Sequence, residues 1–283
     1  ALFAFSCSSD SSSDDGNNNN GGNNNTGNEL LVSEIIYNTI GSDYLYTDRH
    51  FYDGNKLTSI VTESTYQNGN PQVNYIFNFV YTNNKISRID EYYGDNNNSG
   101  IEARYTFEYD NQGRISFYDY CYFSSSGTCD EYDTNNLTYS SNGIVSISYV
   151  NNVGSDYEDA GILTLQLDNN GNIIGGNESY QDVDDSGNTI TVTVNASFEY
   201  DNQNSPFKNI IGMDSIILLH LGYNPLQWSA FNNCNSYTIE FSDEGEVYEY
   251  TYSYDYNEDG YPRQGILNET GFSSETTIDI NYY

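Results

Sequence analysis

The chain has 283 residues, including 24 Gly, 4 Pro and 30 Tyr, and its 41 acidic against 8 basic residues give a formal net charge of −33. This acidity excludes sequence-independent binding to nucleic acid and binding to anionic lipid head groups, because both require clustered Lys and Arg. No run of 18 or more apolar residues occurs, which excludes a transmembrane helix. Tyrosine supplies much of the apolar mass, and this favours pleated β-structure over helix.

Residues 1–7, Ala-Leu-Phe-Ala-Phe-Ser-Cys, have the form of a signal-peptide remnant, with an apolar stretch, a small residue and then a cysteine. The pattern resembles a bacterial lipobox, and the resemblance implies that Cys7 carries a lipid and becomes the mature N-terminus. The alternative is a Cys7 that is buried or disulfide-bonded. Residues 8–28 contain only Ser, Asp, Gly, Asn and Thr, so they offer no apolar surface to offset the entropy of ordering. We expect them to form a disordered tether to a folded domain at 29–283.

One motif recurs through that domain: an aromatic residue, turn residues, a cation or small residue, and then a β-branched residue or Leu. Clear copies begin at Tyr52, Tyr81, Tyr109 and Tyr139, and weaker copies begin at Leu167, Tyr200 and Tyr254. Self-similarity at a period of about 30 residues indicates stacked supersecondary units, and the Asn-Gly and Asp-Gly tips indicate that each unit is a tight hairpin. We therefore predict one all-β domain, an antiparallel meander of repeated hairpins that forms a curled sheet or a partly open barrel.

Residues 209–231 interrupt the repeat. The stretch from Asp214 to Gly222 has the pattern of a short helix with Asp214 as its N-cap. The only Met and the only Trp, Met213 and Trp228, lie in the same segment. We expect this helix to cover the apolar face of the sheet or to seal one of its edges.

Three pieces of the repeat are similar to the YD repeats of Rhs-like proteins. They are Tyr109-Asp-Asn-Gln-Gly-Arg-Ile, Tyr200-Asp-Asn-Gln-Asn-Ser-Pro-Phe-Lys-Asn and Tyr252-Ser-Tyr-Asp-Tyr-Asn-Glu-Asp-Gly-Tyr-Pro. Taken with the helical insertion, most of residues 45–283 resembles a β-meander family of Bacteroidota surface lipoproteins with largely unassigned activities. The acidic stretch after Cys7 also resembles the export signal of such lipoproteins. The resemblance implies a cell-surface protein held at the outer membrane only through its lipid anchor.

The strongest metal candidate is the acidic turn that contains Asp255, Asn257 and Asp259, followed by Gly260. Its D-x-N-x-D-G spacing is that of a calcium loop, in which three oxygen ligands and a sharp glycine turn surround one cation. However, Ile266 stands where such a loop has its Glu. Asp, Asn and Gly are also the residues that any hairpin tip requires. Structural calcium and a plain acidic turn are therefore both open.

The cysteines predict one disulfide. Cys121 and Cys129 flank a hairpin-tip sequence and can face each other across two antiparallel strands, and an extracytoplasmic location permits the bond. With Cys7 as the lipid site, Cys234 is left over, and we expect it to be a buried free thiol.

Neither of the two histidines, His50 and His220, has a Ser or Cys close in sequence in a triad-like arrangement. We expect both to be structural and assign no catalytic residue. Apart from the lipid and the candidate calcium, we expect no cofactor. A secreted hydrolase that acts through two carboxylates with separated pKa values is the third functional hypothesis.

The many tyrosines favour a binding function, either to other proteins or to glycans. Tyr248, Tyr250, Tyr252 and Tyr254 alternate along one face, and such a face is either core or an exposed platform. The leading hypothesis is a non-catalytic interaction module, an accessory subunit of an outer-membrane β-barrel protein complex, whose partners are outer-membrane proteins or other lipoproteins. The second hypothesis is a glycan-binding lipoprotein for nutrient capture. Exposed aromatic residues clustered in a concave face would favour the second.

Overall fold

The computed structural model describes residues 30–67, 69–94, 100–155, 158–183, 187–216, 231–242, 245–270 and 275–283. The predictions for the signal remnant, Cys7 and the tether at 8–28 therefore lie outside the described residues, as do those for His220 and Trp228.

The described chain forms sixteen strands and one short helix. The strands are β1 (Val32–Thr39), β2 (Tyr44–Asp53), β3 (Lys56–Tyr66), β4 (Gln72–Thr82), β5 (Lys85–Tyr93), β6 (Ala103–Tyr109), β7 (Ile115–Phe123), β8 (Cys129–Tyr139), β9 (Ile144–Asn151), β10 (Asp159–Leu167), β11 (Ile173–Val183), β12 (Thr189–Tyr200), β13 (Cys234–Phe241), β14 (Val247–Tyr256), β15 (Pro262–Glu269) and β16 (Glu275–Tyr282). The helix α1 (Met213–Ile216) lies between β12 and β13. Within these ranges, no helix is long and apolar enough to cross a membrane.

The sheet is a closed barrel. Each strand pairs antiparallel with its neighbours in sequence, and β1 also pairs with β16. Ile35 lies opposite Ile280 and Tyr37 lies opposite Ile278. The prediction of a curled sheet or a partly open barrel is therefore wrong, because the described strands leave no open edge. Closure satisfies the backbone groups that two edge strands would otherwise expose.

Alternate residues of the strands build the core inside the barrel. One contiguous cluster draws buried side chains from strands all around the sheet, and only the inner faces of opposite strands converge on one volume. Its members include Ile35, Phe79, Ile89, Phe107, Leu137, Ile147, Leu165, Phe198, Tyr237 and Ile278. A barrel of sixteen strands is wide, and long aromatic side chains on its inner face fill more of that width than Val or Ala can. This explains why the sequence is so rich in tyrosine.

The opposite, outer face is polar. Arg49 in the middle of β2 forms ion pairs with Glu34 and Glu63 on the flanking strands. Further along the barrel, Asp90 lies between Arg88 and Arg104, with N···O distances of 3.0 and 2.6 Å. The ion pairs of these strands therefore lie outside the barrel, and the apolar core lies inside it.

The repeat motif forms the turns at one end of the barrel, and its tyrosines brace neighbouring hairpins. The hydroxyl of Tyr109 donates to the carbonyl oxygen of Ile86 at 2.6 Å, and that of Tyr139 donates to Ile115 at 2.8 Å. The same bond recurs elsewhere at this end: Tyr52 to Val32, Tyr254 to Cys234, and Tyr282 to Pro262. In each case the acceptor lies at the start of the preceding strand of the repeat.

The insertion between β12 and β13 closes this end, and we call its residues 201–216 the cap. Phe207, Ile210 and Met213 are buried in the core cluster. The backbone N–H of Ile211 donates to the carbonyl of Asn55 in the β2–β3 turn. The helix was predicted to begin after Asp214 and to cover a sheet face or edge. Its described part begins at Met213 and covers an end of the barrel, since a closed barrel has no edge to seal.

Candidate functional site: the tyrosine-lined mouth

The end of the barrel opposite the cap presents exposed aromatic residues on the inner face. Tyr46 lies opposite the core residue Tyr37 in register, so its side chain points inward. We define the mouth by the inward-facing, exposed tyrosines of β2 to β5, given with their exposed fractions: Tyr44 (45%), Tyr46 (44%), Tyr66 (49%), Tyr75 (37%) and Tyr93 (60%). The barrel interior is therefore packed at the capped end and lined by accessible rings at the other.

The mouth tyrosines form two groups of packed rings. Tyr44 lies 5.1 Å from Tyr66 and 6.2 Å from Tyr46, measured between ring centroids. Tyr75 lies 5.5 Å from Tyr93, with the rings near perpendicular. Cross-strand contacts of this kind hold aromatic rings in place and leave part of each ring surface free for a ligand.

A second aromatic wall continues from the mouth toward the core. The ring of Tyr105 lies 4.8 Å from that of Tyr120. Burial raises the pKa of Tyr120 to about 12, with a further contribution from Glu91. Burial also raises the pKa of Glu91, and the nearby Glu102 adds to the shift. At neutral pH the Tyr120 hydroxyl is therefore protonated and can donate a hydrogen bond.

Acidic residues share this inner wall, whereas basic residues do not. The inward-facing carboxylates include those of Glu91, Asp133, Glu178 and Glu269. All eight Lys and Arg residues lie within the described ranges, either on the outer face or near the capped end. A wall of one charge sign focuses a negative potential inside the barrel. The mouth therefore favours neutral or cationic ligands over anionic ones.

One of the predicted calcium ligands, Asn257, is engaged within its own turn. Asn257 turns its Oδ1 back on its own turn, where it accepts the backbone N–H groups of Asp259 at 3.0 Å and Tyr261 at 2.9 Å. Asp255 lies in β14 opposite Gln264. No group of three or more His, Cys, Asp or Glu side chains that could hold a metal occurs among the described residues. The turn geometry needs no cation, and calcium stays a prediction from the sequence.

Cys121 and Cys129 are joined by a disulfide between β7 and β8, with their Cα atoms 5.7 Å apart. The bond lies toward the mouth end, where the β7–β8 loop begins. Cys234 is a buried free thiol at the start of β13, and burial raises its pKa to about 12. A thiol with so high a pKa is almost entirely un-ionised at neutral pH and is a poor nucleophile.

His50 is buried on the inner face of β2, where its ring lies 5.9 Å from that of Phe207 in the cap. Burial lowers its pKa to about 4, and a hydrogen bond with the backbone of Asp48 partly offsets this. His50 is therefore neutral at physiological pH and packs between barrel and cap.

The row of tyrosines that the sequence predicts as core or as an exposed platform is not the one that lines the mouth. Tyr250, Tyr252 and Tyr254 belong to the core or pack against it. The mouth tyrosines have the same alternation in sequence, so their pattern alone does not separate them from core tyrosines. Their one available signal is position, because they lie far from the repeat turns and close to the opposite hairpin loops.

No protein-family model and no curated protein matches the sequence. Among solved structures, a porin-like protein from Bacteroides vulgatus ATCC 8482 aligns with a TM-score of 0.55 at 11% identity, covering 90% of this chain and 99% of that chain. A porin-like protein from Bacteroides uniformis ATCC 8492 aligns at 12% identity with a TM-score of 0.45, covering 89% and 96%. The fold is a porin-like barrel. At this identity the similarity shows the fold alone, and the resemblance to YD-repeat proteins stays a prediction.

The two faces of this porin-like barrel are reversed relative to a barrel that spans a bilayer. A membrane-spanning barrel alternates apolar side chains toward lipid with polar ones toward the lumen, and a Lys or Arg on the lipid face costs about 2–4 kcal/mol at the midplane. Here Arg49, Asp90 and Asp119 stand on the outer face in the middle of their strands, while the core residues face inward. The outer face is therefore polar at positions where a bilayer-spanning barrel is apolar.

Proposed function

We propose that this protein is a surface-exposed outer-membrane lipoprotein whose barrel stands in water and binds a neutral glycan at its tyrosine-lined mouth. The observation that carries the proposal is the cluster of exposed, inward-facing tyrosines at the open end. Such a cluster in a concave face is the feature that favours glycan capture over the other functions expected from the sequence.

The chemistry of the mouth suits sugars. Tyrosine rings offer a flat apolar surface for the C–H faces of a sugar ring and a polar hydroxyl for its edges. Carboxylates such as that of Glu91 accept hydrogen bonds from sugar hydroxyls, and they repel glycans that carry carboxylate or sulfate groups. The expected ligand is therefore an uncharged oligosaccharide long enough to contact several tyrosines.

The position of the N-terminal segment supports an orientation for the barrel. The carbonyl of Leu30 accepts a hydrogen bond from Asn209 in the cap at 2.9 Å, and the carbonyl of Leu31 accepts one from the backbone of Tyr283. The chain that leads back to Cys7 therefore leaves the domain at the capped end. With a lipid on Cys7, the mouth faces away from the bilayer, and a tether of 21 residues reaches roughly 70 Å when stretched.

Glycan binding by matched variants tests the proposal. The full chain carrying Cys7→Ser would be screened against neutral and acidic oligosaccharides, and any ligand would be titrated against Tyr44→Ala, Tyr66→Ala and Tyr93→Ala. The control is Tyr132→Ala, because Tyr132 is similarly exposed (37%) but lies on the outer face. We expect a neutral glycan to bind and each mouth variant to weaken it at least tenfold, with the control unchanged. Equal affinity in the control and mouth variants would refute the site.

The role of an accessory subunit of an outer-membrane complex is the second candidate. Its support is the same proposed location at the outer membrane, together with an outer barrel surface that can contact other proteins. Mild detergent extraction followed by identification of stoichiometric partners tests it, and recovery of the protein alone would argue against any stable complex.

We also propose that the protein is not an enzyme. Its buried thiol, Cys234, has a raised pKa, and its buried imidazole, His50, has a lowered one, so neither is placed to act as a nucleophile or base at neutral pH. Prolonged incubation of a bound glycan with the protein should leave the length of the glycan unchanged. Shortening that is lost in Glu91→Gln would instead support the carboxylate hydrolase.

A further inference from the structure

One wall of the barrel carries no charged side chain over several strands, although the whole chain has a net charge of −33. We call it the uncharged wall and define it by outward-facing residues of β8 to β12. Its members are Thr134, Asn136, Thr138, Ser146, Ser148, Val150, Ala160, Ile162, Thr164, Gln166, Asn177, Ser179, Gln181, Thr191, Thr193, Asn195 and Ser197.

The register makes this wall a continuous surface. One row crosses all five strands through directly opposed residues: Asn136, Ser148, Ile162, Ser179 and Thr193. The next row runs parallel to it toward the capped end: Thr138, Ser146, Thr164, Asn177 and Asn195. Charged outward-facing residues appear only at its margins, such as Glu199 at the end of β12.

Polar side chains of β11 and β12 in the wall bond one another in pairs. Asn177 donates to Asn195 at 2.6 Å and Gln181 donates to Thr191 at 2.9 Å. Ser179 and Thr193 share a hydrogen bond of 3.0 Å. The apolar Ile162 on β10 lies beside Ser179 of this network and is 57% exposed. Side chains that already bond one another lose few hydrogen bonds to water when a second surface covers them.

We propose that the uncharged wall is the surface through which two copies of this chain associate. Two molecules of such high like charge repel each other wherever carboxylates face one another, as on the outer faces of β14 and β16, where Glu249 and Asp279 point outward. The uncharged wall is the sector of the described outer surface where this local repulsion is least. A two-fold symmetric dimer places this wall against the same wall of the second copy, so neither copy brings a charged side chain to the centre of the contact.

The size of the wall sets the expected strength of the dimer. Five strands spaced about 4.8 Å apart and rows about 6.8 Å apart give a face of about 20 by 25 Å, or about 500 Å². Stable complexes bury about 800 Å² per partner, so the interface is small and the dimer is expected to be weak in solution. Tethering both copies to one membrane would raise their effective concentration and strengthen the association.

A glycan is a less suitable occupant of this wall than of the mouth. Sugar recognition relies on aromatic platforms, and the wall itself has none, with Tyr132 at its border. A different protein with a neutral face is the remaining alternative, and the experiment below separates it from a second copy.

Sedimentation of the full chain carrying Cys7→Ser tests the proposal. We expect a concentration-dependent monomer–dimer equilibrium. Replacing both neighbours of Ile162, in Ser148→Asp with Ser179→Asp, should weaken dimerisation at least tenfold. The matched control is Thr251→Asp with Ser253→Asp, which places two carboxylates on the outer face of β14 and should leave the equilibrium unchanged. Circular dichroism would verify that both double variants fold.

A charge swap completes the test. An equal mixture of the double Asp variant with the corresponding double Lys variant, Ser148→Lys with Ser179→Lys, should restore dimers to at least the wild-type level. A chain that stays monomeric up to the solubility limit would overturn the proposal. So would a dimer that responds equally to the wall variants and the β14 control, or binding of another protein to the wall without self-association.

Discussion

Lys85 of one hairpin lies over the ring of Tyr109 in the next, with its Nζ 4.7 Å from the ring centroid. Its ammonium also donates to the carbonyl of Gly113 in the turn that follows Tyr109. Arg114 likewise lies over the ring of Tyr139, with its Cζ 4.0 Å from the ring centroid. A cation after one turn thus contacts the tyrosine before the next turn, which explains why most of the few basic residues follow the repeat. These contacts join successive hairpins at the capped end.

The tyrosine hydroxyls at that end should contribute measurably to stability. Tyr109→Phe and Tyr139→Phe each remove a hydrogen bond to a backbone carbonyl. We expect each to lower the free energy of unfolding by about 1 kcal/mol, the usual net value of such a bond. Denaturant titration checks this, with the exposed Tyr93→Phe as control. Losses no larger than in the control would mean that these bonds do not brace the hairpins.

The hairpins and their turns follow from local sequence, whereas closure of the barrel does not. Asp110 accepts the backbone N–H groups of Gln112 and Arg114, so an Asp-containing tip specifies its own turn. The pairing of Ile35 with Ile280 joins opposite ends of the domain, and no local pattern reports it. The sequence also does not show how deeply each tyrosine is buried, because burial depends on where the closed barrel is packed and where it is open. Tyr46 and Tyr252 both face inward, yet only Tyr252 is buried.

Folding stability should fall as the medium becomes acidic because of His50. Burial lowers its folded pKa from 6.5 to about 4, so the unfolded chain binds a proton between these values that the folded protein does not. The stabilisation is therefore complete above pH 6.5 and is lost as the pH falls toward 4, by about 3 kcal/mol. The wild type must therefore be compared with His50→Gln, which isolates the contribution of the imidazole. The variant should show a shallower decline over this range, and identical pH profiles would contradict the assignment.

The disulfide between Cys121 and Cys129 closes a short loop, with a sequence separation of 8. Loop-closure entropy for so short a loop gives about 2.5 kcal/mol. Replacing both cysteines with Ser should therefore lower the free energy of unfolding by about this amount in non-reducing buffer. In reducing buffer the wild type and the variant should be equally stable. A variant as stable as the oxidised wild type would show that the bond adds nothing to the fold.

Chelation should leave the fold unchanged if the β14–β15 turn is held by its own hydrogen bonds. Because Asn257 Oδ1 accepts two backbone N–H groups, Asn257→Ala should destabilise the protein by about 1–2 kcal/mol with or without chelator. Thermal unfolding of both proteins in calcium and in chelator checks this. A fall in the melting temperature of the wild type on chelation, absent in the variant, would instead support calcium at Asp255, Asn257 and Asp259.

We propose that this porin-like barrel, which has its polar face outside, stands in water. The most direct test is to express the full chain with Cys7→Ser and purify it without detergent, then measure its mass by light scattering and its fold by circular dichroism. We predict a folded β-rich protein in detergent-free buffer, as a monomer or dimer, that does not partition into lipid vesicles. A barrel that aggregates without detergent and folds only in micelles or vesicles would contradict the account, because it would show that the outer face requires lipid.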